Sequence, residues 1–278
     1  MNKWSLLVMV ATAVGAPRTV TGPNGHDMVQ VPAGAYAVGQ AGHYFNPSRT
    51  VNLPSFRIAT TETTNAQFAR FIAATGYRTD AEKRGFGRVA KEGYPDWGWK
   101  EVTGATWRLP MGPGGPKAED LPTHPATQIS GADAAAYCHW AGGRLPTLDE
   151  WEVAARAGVK TLYPWGDTWD PTKSNTWNGK THRKNTREDG WVYTAPVKSY
   201  PANAWGLHDV VGNVFEYCGD LPAKVPRGQQ NRLIAGRGGS WWCSAGTCHF
   251  YNLVDVGTQD WHGSLSNQGF RLALPDRG

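Results

Sequence analysis

The chain has 278 residues, of which 34 are Gly, 19 are Pro and 14 are Trp, and its net charge is +5. Gly and Pro together exceed the roughly 12% share of an average protein, which excludes a helical bundle, a coiled coil and an acidic disordered chain. The 28 basic residues are dispersed among 23 acidic ones. Nucleic-acid-binding proteins concentrate their basic side chains in a patch, so we expect no nucleic-acid partner.

The first 16 residues are typical of a signal peptide. Lys3 supplies the positive n-region, an apolar stretch of about ten residues follows at 5–14, and Val14-Gly15-Ala16 is a small-residue cleavage site. The stretch is too short to span a bilayer, and no later stretch approaches that length. We therefore predict an exported protein, periplasmic or secreted. A buried N-terminal strand or helix is the alternative for the same residues.

A single domain is predicted over residues 28–278, behind a polar N-terminal arm at 17–27. The arm is rich in turn residues, as mobile termini often are. The domain opens with a short strand at 28–31, which Pro32-Ala33-Gly34 ends and which residues 36–38 continue after a turn.

Three helices are predicted between residues 60 and 160. The spacing of apolar residues places them at 64–75, from 130 to 142 and from 147 to 158. Each begins at a Ser or Thr and stops at a glycine, and Glu150 lies three residues after Thr147, as in a capping box.

Beyond Gly158 the sequence predicts loops and short strands. Pieces such as 163–167, 175–179 and 204–207 are interrupted by Gly, Pro and Asn. Two strands are expected near the C-terminus, at 237–242 and 269–274. The fold class is therefore α+β with a high proportion of coil.

The closest pair of cysteines is the most specific chemical feature. Cys243 and Cys248 lie five residues apart, and two thiolates on one loop can converge on a soft metal such as Cu(I). A disulfide and two buried small apolar residues are the alternatives. Whether Cys138 and Cys218 pair is left open by the sequence.

Two segments carry oxygen-bearing residues of the kind that bind calcium. Asn175 precedes a loop that reaches Asp189, and further on Asp209, Gly212, Val214 and Glu216 alternate within one short stretch. Irregular backbone can offer carbonyl oxygens to a hard cation beside carboxylates and amides. Polar residues that cap turns are the alternative. The eight histidines are dispersed and show no zinc-site spacing.

Several motifs together resemble the formylglycine-generating enzyme family, the sulfatase-modifying-factor domain, over residues 28 to 275. They are the following segments: Met28–Gly34, Glu62–Phe68, His124-Pro125, Trp140–Thr147, Glu150–Glu152, Tyr163–Gly166, Val211–Val214, Gly238–Trp241 and Gly269–Arg271. The resemblance implies a fold related to C-type lectins, with little regular structure and structural calcium.

The resemblance also implies roles for individual residues. The aerobic oxidases of this family hold Cu(I) with two cysteines in a GGS-x-x-C-x4-C pattern, which is intact here from Gly238 to Cys248. Cys243 and Cys248 are the implied copper ligands, and Ser240 is a neighbour that helps to position oxygen or substrate. The implied calcium ligands form two sets: Asn175, Thr176, Asp189 and Trp191; and Asp209, Gly212, Val214 and Glu216.

The sequence departs from the family pattern around the cysteines. His249-Phe250-Tyr251-Asn252 replaces a Tyr- and Arg-rich run, 259–264 replaces an Asn-Thr-Pro-Asp-Ser-Ser stretch, and Phe215 and Asp209 stand where Trp and Asn are usual. The expected metal ligands are thus kept while the surface that faces the substrate differs.

Three functions follow from these features. The first is a copper-dependent oxidase that uses O2 to convert a cysteine of an exported sulfatase or similar protein to formylglycine, acting as a monomer on a protein or peptide substrate. The second is a non-enzymatic lectin-like binding or display module whose residues 242–268 are diversified. The third is a periplasmic maturation factor of the same family that acts on another substrate.

Overall fold

The structure is a computed structural model that describes residues 17–276 with the exception of Ala245. The predicted signal peptide, residues 1–16, lies outside the described residues. Strands and helices are mixed, and a long stretch between them is irregular. In chain order the elements are β1 (Arg18–Thr21), β2 (Asp27–Val31), β3 (Gly34–Val38), β4 (Arg49–Leu53), β5 (Phe56–Ala59), α1 (Asn65–Thr75), α2 (Asp80–Arg84), β6 (Phe86–Val89), β7 (Lys100–Thr103), α3 (Gly131–Trp140), α4 (Leu148–Arg156), β8 (Phe215–Cys218), β9 (Leu233–Arg237), β10 (Gly257–Asp260), β11 (Gln268–Gly269) and β12 (Ala273–Pro275).

One four-stranded sheet joins the two ends of the chain. Its order is β1-β2-β5-β12, and all three pairings are antiparallel. The segment 17–27, predicted as a polar arm, contributes the edge strand β1, with Arg18 opposite Gln30. The predicted strand at 28–31 is confirmed as β2. The last strand, β12, closes the domain by pairing with β5.

The second four-stranded sheet has the order β10-β9-β8-β11 and carries the candidate site. Its strands β10, β9 and β8 are antiparallel neighbours, whereas β11 runs parallel to β8. Strands β3 and β4 form one separate two-stranded sheet, and β6 and β7 form another.

The four α-helices among the described residues each begin with a reciprocal capping box. The side chain of a Thr or Ser at the N-cap accepts a hydrogen bond from the backbone N–H three residues on. The side chain of that later residue accepts one from the N-cap backbone N–H in turn. The pairs are Thr64–Gln67, Thr79–Glu82, Ser130–Asp133 and Thr147–Glu150. The three predicted helices are confirmed as α1, α3 and α4. The five-residue helix α2 was not predicted, because it is too short to show a helical period.

The two strands predicted near the C-terminus need correction. The stretch 237–242 is not a strand: β9 ends at Arg237, and Gly238 and Gly239 adopt positive φ values of 84° and 73°. Only glycine enters this left-handed region readily, so the chain turns there. The predicted strand 269–274 is split into β11 and β12, with residues 270–272 between them.

Buried aromatic side chains and two buried ion pairs hold the layers together. Phe68 on α1 packs against Tyr137 on α3 and against Phe270, with ring centroids 5.9 and 6.4 Å apart. Arg237 donates to Glu152 at 2.8 Å, and the Arg271 guanidinium holds Glu216; all four side chains are fully buried. None of the helices within the described residues is long and apolar enough to cross a membrane.

Candidate functional site

The cysteine loop begins at the glycine turn after β9. A Cβ at Gly239 would lie 2.5 Å from the Tyr251 backbone, so only glycine allows this close approach. The turn directs residues 240–243 into the interior, where Cys243 N donates to Ser240 O at 2.9 Å. Trp177 N in turn donates to Cys243 O at 2.9 Å. The first cysteine is therefore fixed by backbone hydrogen bonds on both sides.

Cys243 and Cys248 form a disulfide in this structure. Their Cα atoms are 4.6 Å apart, and both residues are buried, at 1% and 5% exposure. Among the four cysteines, Cys138 and Cys218 are free and buried, so they do not pair with each other. Burial raises the pKa of both free thiols, which makes them unreactive. Cys243–Cys248 is therefore the pair of cysteines available for redox chemistry.

Ser240 lies directly beside the cysteine pair. Its Oγ is 3.8 Å from Cys243 Sγ and accepts hydrogen bonds from Asn267 Nδ2 at 2.7 Å and from Trp242 N at 3.3 Å. Asn267 was not singled out from the sequence, because it follows β10 by several residues and reaches the cysteines only through the fold. Its Oδ1 is buried without a hydrogen-bond partner and is available to a ligand donor.

A histidine holds the segment that precedes the first cysteine. The His182 ring is fully buried and stacks on Trp242 with centroids 3.8 Å apart, and its Nε2 lies 2.8 Å from Trp242 O. Its Nδ1 lies 2.8 Å from the Asp96 carboxylate. Burial lowers the pKa of His182, so the neutral ring donates to one of these acceptors. His182 is a positioning residue for the cysteine loop that sequence spacing did not reveal.

A groove of about 370 Å³ lies over the disulfide. Cys243 and Cys248 both line it, together with Asn267 and residues of β8, β9 and β10. The other walls are aromatic side chains, contributed by Phe45, Trp97, Trp99, Phe215, Trp242 and Phe250. The volume lies within the range of small-molecule and peptide side-chain sites.

The first predicted calcium set converges around Asp189. Its carboxylate accepts from Thr176 N and from Trp191 N, both at 3.0 Å. Asn175 is buried and donates from Nδ2 to Tyr193 O at 2.8 Å. Burial raises the pKa of Asp189 to about 6. The structure therefore brings all four predicted residues to one place, where a cation would favour the charged carboxylate.

The second predicted calcium set is only partly free to bind a cation. Asp209 Oδ2 accepts from Lys198 N at 2.8 Å, while Asp209 Oδ1 is buried without a partner. Both oxygens of Glu216 accept from Arg271, and Oε2 also accepts from Trp151 Nε1 at 2.7 Å. A Cβ at Gly212 would lie 2.3 Å from Asn175 O, so the two predicted sets are in close contact.

Glu62 is a further acidic group at this second set that the sequence did not indicate. It is fully buried, and its Oε2 has no partner. Burial, together with the charges of Asp209 and Glu216, raises the pKa of Glu62 well above its usual value. Asn213 joins the two sets, since its Nδ2 donates to Glu62 Oε1 and its Oδ1 accepts from Asn175 Nδ2, both at 3.0 Å.

Histidines do not add a metal centre to these groups. Within residues 17–276, Ala245 excepted, no three side chains of His, Cys, Asp and Glu type meet closely enough to hold a metal ion. The two predicted calcium sets differ from such a cluster because they include amide and backbone carbonyl oxygens, which are the usual calcium ligands alongside carboxylates.

Comparison with known proteins identifies the family of the chain. The family model described as "Sulfatase-modifying factor enzyme 1-like domain" matches residues 14–275. The "Formylglycine-generating enzyme" of Thermomonospora curvata is 37% identical over 284 residues, covering 88% of this chain and 92% of that protein. The "Inactive C-alpha-formylglycine-generating enzyme 2" of Mus musculus is 36% identical over 267 residues, covering 88% and 85%.

A solved structure shares the architecture. PvdO from Pseudomonas aeruginosa superposes with a TM-score of 0.66 at 22% identity, covering 95% of this chain and 99% of that one. At this identity the likeness shows the fold alone. The predicted fold class, α+β with much coil on the formylglycine-generating-enzyme scaffold, is confirmed.

Proposed function

Because the chain belongs to the sulfatase-modifying factor enzyme 1-like family, we propose that it is a copper-dependent oxidase that uses O2 to convert a substrate cysteine to formylglycine. The observation that carries the proposal is that Cys243 and Cys248 both line an open groove, with Ser240 beside them. The proposed substrate is a cysteine of an exported sulfatase or similar protein, reached by a periplasmic or secreted monomer.

Copper would be held by the two cysteines after their disulfide is reduced. Two soft sulfur donors that neighbouring backbone already brings together fit Cu(I), which accepts two-coordinate thiolate ligation. When bound, the metal would supply the one-electron chemistry that O2 needs to react with a thiol. Asn267 and Ser240 keep the loop in place, and the aromatic walls exclude water from the sulfur atoms.

The overall reaction balances only with an added reductant. At the substrate cysteine, the Cβ–S bond and one C–H bond break, a C=O bond forms and sulfur leaves as sulfide. This oxidation yields two electrons, whereas reduction of O2 to the oxidation level of water takes four. A thiol reductant supplies the other two electrons and becomes a disulfide. The same reductant opens the Cys243–Cys248 disulfide before the metal binds.

Calcium is proposed as a structural ion at the two sets described above. The proposal is supported by the raised pKa of Asp189 and by the unpaired buried oxygens of Asp209 and Glu62. A divalent cation would offset the excess of buried negative charge at both places.

An anaerobic titration of the reduced protein with Cu(I) tests the proposal. We expect one equivalent to bind and Cys243→Ser to abolish binding, because a single thiolate and a hydroxyl are a poor site for a soft ion. Turnover is then measured on a cysteine peptide by mass spectrometry, which detects the aldehyde; it should require copper, O2 and a thiol reductant together.

Cys138→Ala is the matched control. Cys138 is a free buried cysteine away from the groove, so this variant should bind copper like the unchanged protein. The proposal fails if the reduced protein binds no Cu(I), or if the Cys243–Cys248 disulfide resists every thiol reductant. That outcome would favour the binding-module prediction; one relative of similar identity is named inactive.

A further inference from the structure

The floor of the groove over the cysteine pair is made by two glycines that face each other across neighbouring strands. Gly257 on β10 is the register partner of Gly236 on β9. Neither residue brings a side chain to the floor, and the Phe215 ring on β8 lies beside both. An ideal Cβ at Gly257 would touch only Phe215, at 3.7 Å, and Gly236 O, at 3.9 Å. The floor therefore has open space at Gly257 beside the Phe215 ring, with the Gln259 amide 3.7 Å from an ideal Cβ at Gly236.

The rim of the groove carries unusually exposed aromatic side chains. Among the described residues, the large apolar side chains classed as exposed are Tyr44, Phe45 and Trp97, at 63%, 43% and 58%. Phe45 and Trp97 line the groove from two different loops, and Tyr44 packs on Phe45 with ring centroids 4.9 Å apart. Exposed aromatic residues that gather around one opening are typical of a binding site for an apolar group.

The described residues that line the groove include no charged side chain. A basic or acidic group of a substrate that entered it would lose water without gaining an ionic partner. A large apolar side chain would instead replace water at the aromatic walls and at the glycine floor. The polar side chains that line the groove, those of Thr258, Gln259, Asn267 and Gln268, can bond the main chain of a bound peptide.

We propose that the groove selects a peptide segment whose reactive cysteine is flanked by an aromatic or large aliphatic residue, which lies on the Gly236–Gly257 floor between Phe215, Phe250 and Trp97. This inference rests on the proposed function for the role of the cysteine. The side chain next to the cysteine, rather than a charged residue further along, is then the main determinant of specificity.

Binding of serine peptides separates this inference from the catalytic proposal. We would synthesise a set of peptides in which serine replaces the cysteine and Phe, Ala or Arg stands at one neighbouring position. Fluorescence anisotropy would measure the dissociation constant of each peptide. Such peptides cannot form a mixed disulfide or turn over. We expect the best Phe peptide to bind at least tenfold more tightly than its Ala counterpart, and the Arg peptide to bind no better than Ala.

Gly257→Leu fills the floor and is the decisive variant. Its φ is not in the left-handed region and the surrounding space is open, so the substitution should be compatible with folding. We expect it to remove the tenfold preference for Phe while leaving the Ala peptide and Cu(I) binding unchanged. Gly228→Leu, at an exposed glycine with no atom within 4 Å of an added Cβ, is the matched control.

Several outcomes would overturn the groove assignment. They are equal affinity for Phe and Ala peptides, a preference for Arg through the aromatic rings, and a Phe preference that survives in Gly257→Leu. If Cu(I) binding and turnover fail while the Phe preference is found, the catalytic proposal falls and the groove assignment stands. Circular dichroism and thermal melting of each variant confirm that the change in affinity is not a loss of fold.

Discussion

Among single residues, the buried carboxyl groups of Glu62, Asp209 and Glu216 influence one another through their charges. The Arg271 guanidinium bonds both oxygens of Glu216 and also donates to two backbone carbonyls, Ala59 O and His208 O, both at 3.0 Å. The remaining oxygens, Glu62 Oε2 and Asp209 Oδ1, have no hydrogen-bond partner among the described residues. A buried carboxylate without a partner is costly, and a cation at the proposed calcium set would offset that cost.

Glu62→Gln tests this site because it removes the ionisable group and keeps the shape of the side chain. We expect the free energy of unfolding without calcium to stay within about 0.5 kcal/mol or to rise, since no unpaired carboxylate is buried. Stabilisation by calcium should fall, because the cation would offset less negative charge. Urea unfolding in the presence of EDTA and of calcium measures both effects.

Glu119→Gln is the control for the Glu62 experiment. Glu119 is exposed and pairs only with Lys117, so its substitution should leave the calcium response unchanged. Equal stabilisation of Glu62→Gln and of the unchanged protein by calcium would contradict the role given to Glu62.

His26 predicts a loss of stability in acid. It is buried beside the Tyr137 hydroxyl, 2.9 Å away, and its Nδ1 has no partner. Burial, with the charge of Arg70, lowers its pKa to about 4. Below about pH 6.5 the unfolded chain therefore binds a proton at His26 that the folded chain does not bind. The contribution of His26 to the free energy of unfolding is full above that pH and is lost as the pH falls towards 4.

The expected contribution of His26 between pH 7 and pH 4.5 is about 2 kcal/mol. Denaturant unfolding at both pH values measures it as a difference between the unchanged protein and His26→Gln. The variant should lose less stability on acidification, since an amide does not titrate. The same loss in both proteins would show that His26 is not responsible.

At the scale of elements, Glu152 on α4 joins parts of the chain that are distant in sequence. It accepts from Gly39 N and Asn46 Nδ2, both at 2.7 Å, in the segment between β3 and β4, and from Arg237 at the end of β9. Arg156 donates to it from the next helical turn at 2.7 Å. The helix thus holds β9 immediately before the glycine turn that leads to Cys243.

Arg237→Met should destabilise the protein by about 3–5 kcal/mol, because it leaves the buried Glu152 carboxylate with one cationic partner fewer. Guanidinium chloride unfolding measures the change. Arg49→Met is a control: Arg49 pairs with Asp149 at the surface, and such pairs contribute at most about 1 kcal/mol. Similar losses for the two variants would contradict the importance of the buried pair.

At the scale of the whole molecule, residues 157–214 contain no helix or strand of the described fold, yet they supply every residue of the two predicted calcium sets except Glu216, which lies on β8. Side-chain amides and short turns hold this span, as Asn213 does between Asn175 and Glu62. A structural cation would add stability where regular hydrogen-bonded structure is absent.

Removal of calcium should therefore lower the melting temperature by about 5–10 °C, if the ion is present at about 100 times its dissociation constant. Differential scanning calorimetry with EDTA measures the shift, and re-added calcium should reverse it, whereas magnesium, which prefers a smaller octahedral site, should do so poorly. Limited proteolysis should show new cleavage within 157–214. A melting temperature that the chelator leaves unchanged would contradict a structural calcium ion.

The sequence by itself determined the family, the α+β class and three of the helices, because capping residues, apolar periodicity and the GGS-x-x-C-x4-C pattern are local and dense in information. It also predicted Cys243, Cys248 and Ser240 as site residues from that pattern, and Asp189 from the family resemblance. It did not predict α2, because five residues are too few to show a helical pattern of apolar residues. It wrongly predicted a strand at 237–242, where Gly238 and Gly239 turn the chain.

Only the tertiary structure decided which distant residues meet. Asn267 beside Ser240, His182 beneath Trp242, Glu62 next to Asp209 and the facing glycines 236 and 257 are separated by tens of residues in the chain. Nothing in the sequence distinguishes these two glycines from the other glycines among the 34. Antiparallel pairing of β9 and β10 places them side by side in the lining of the groove that also contains the cysteines. Such contacts depend on register and packing across the whole domain, which no local pattern encodes.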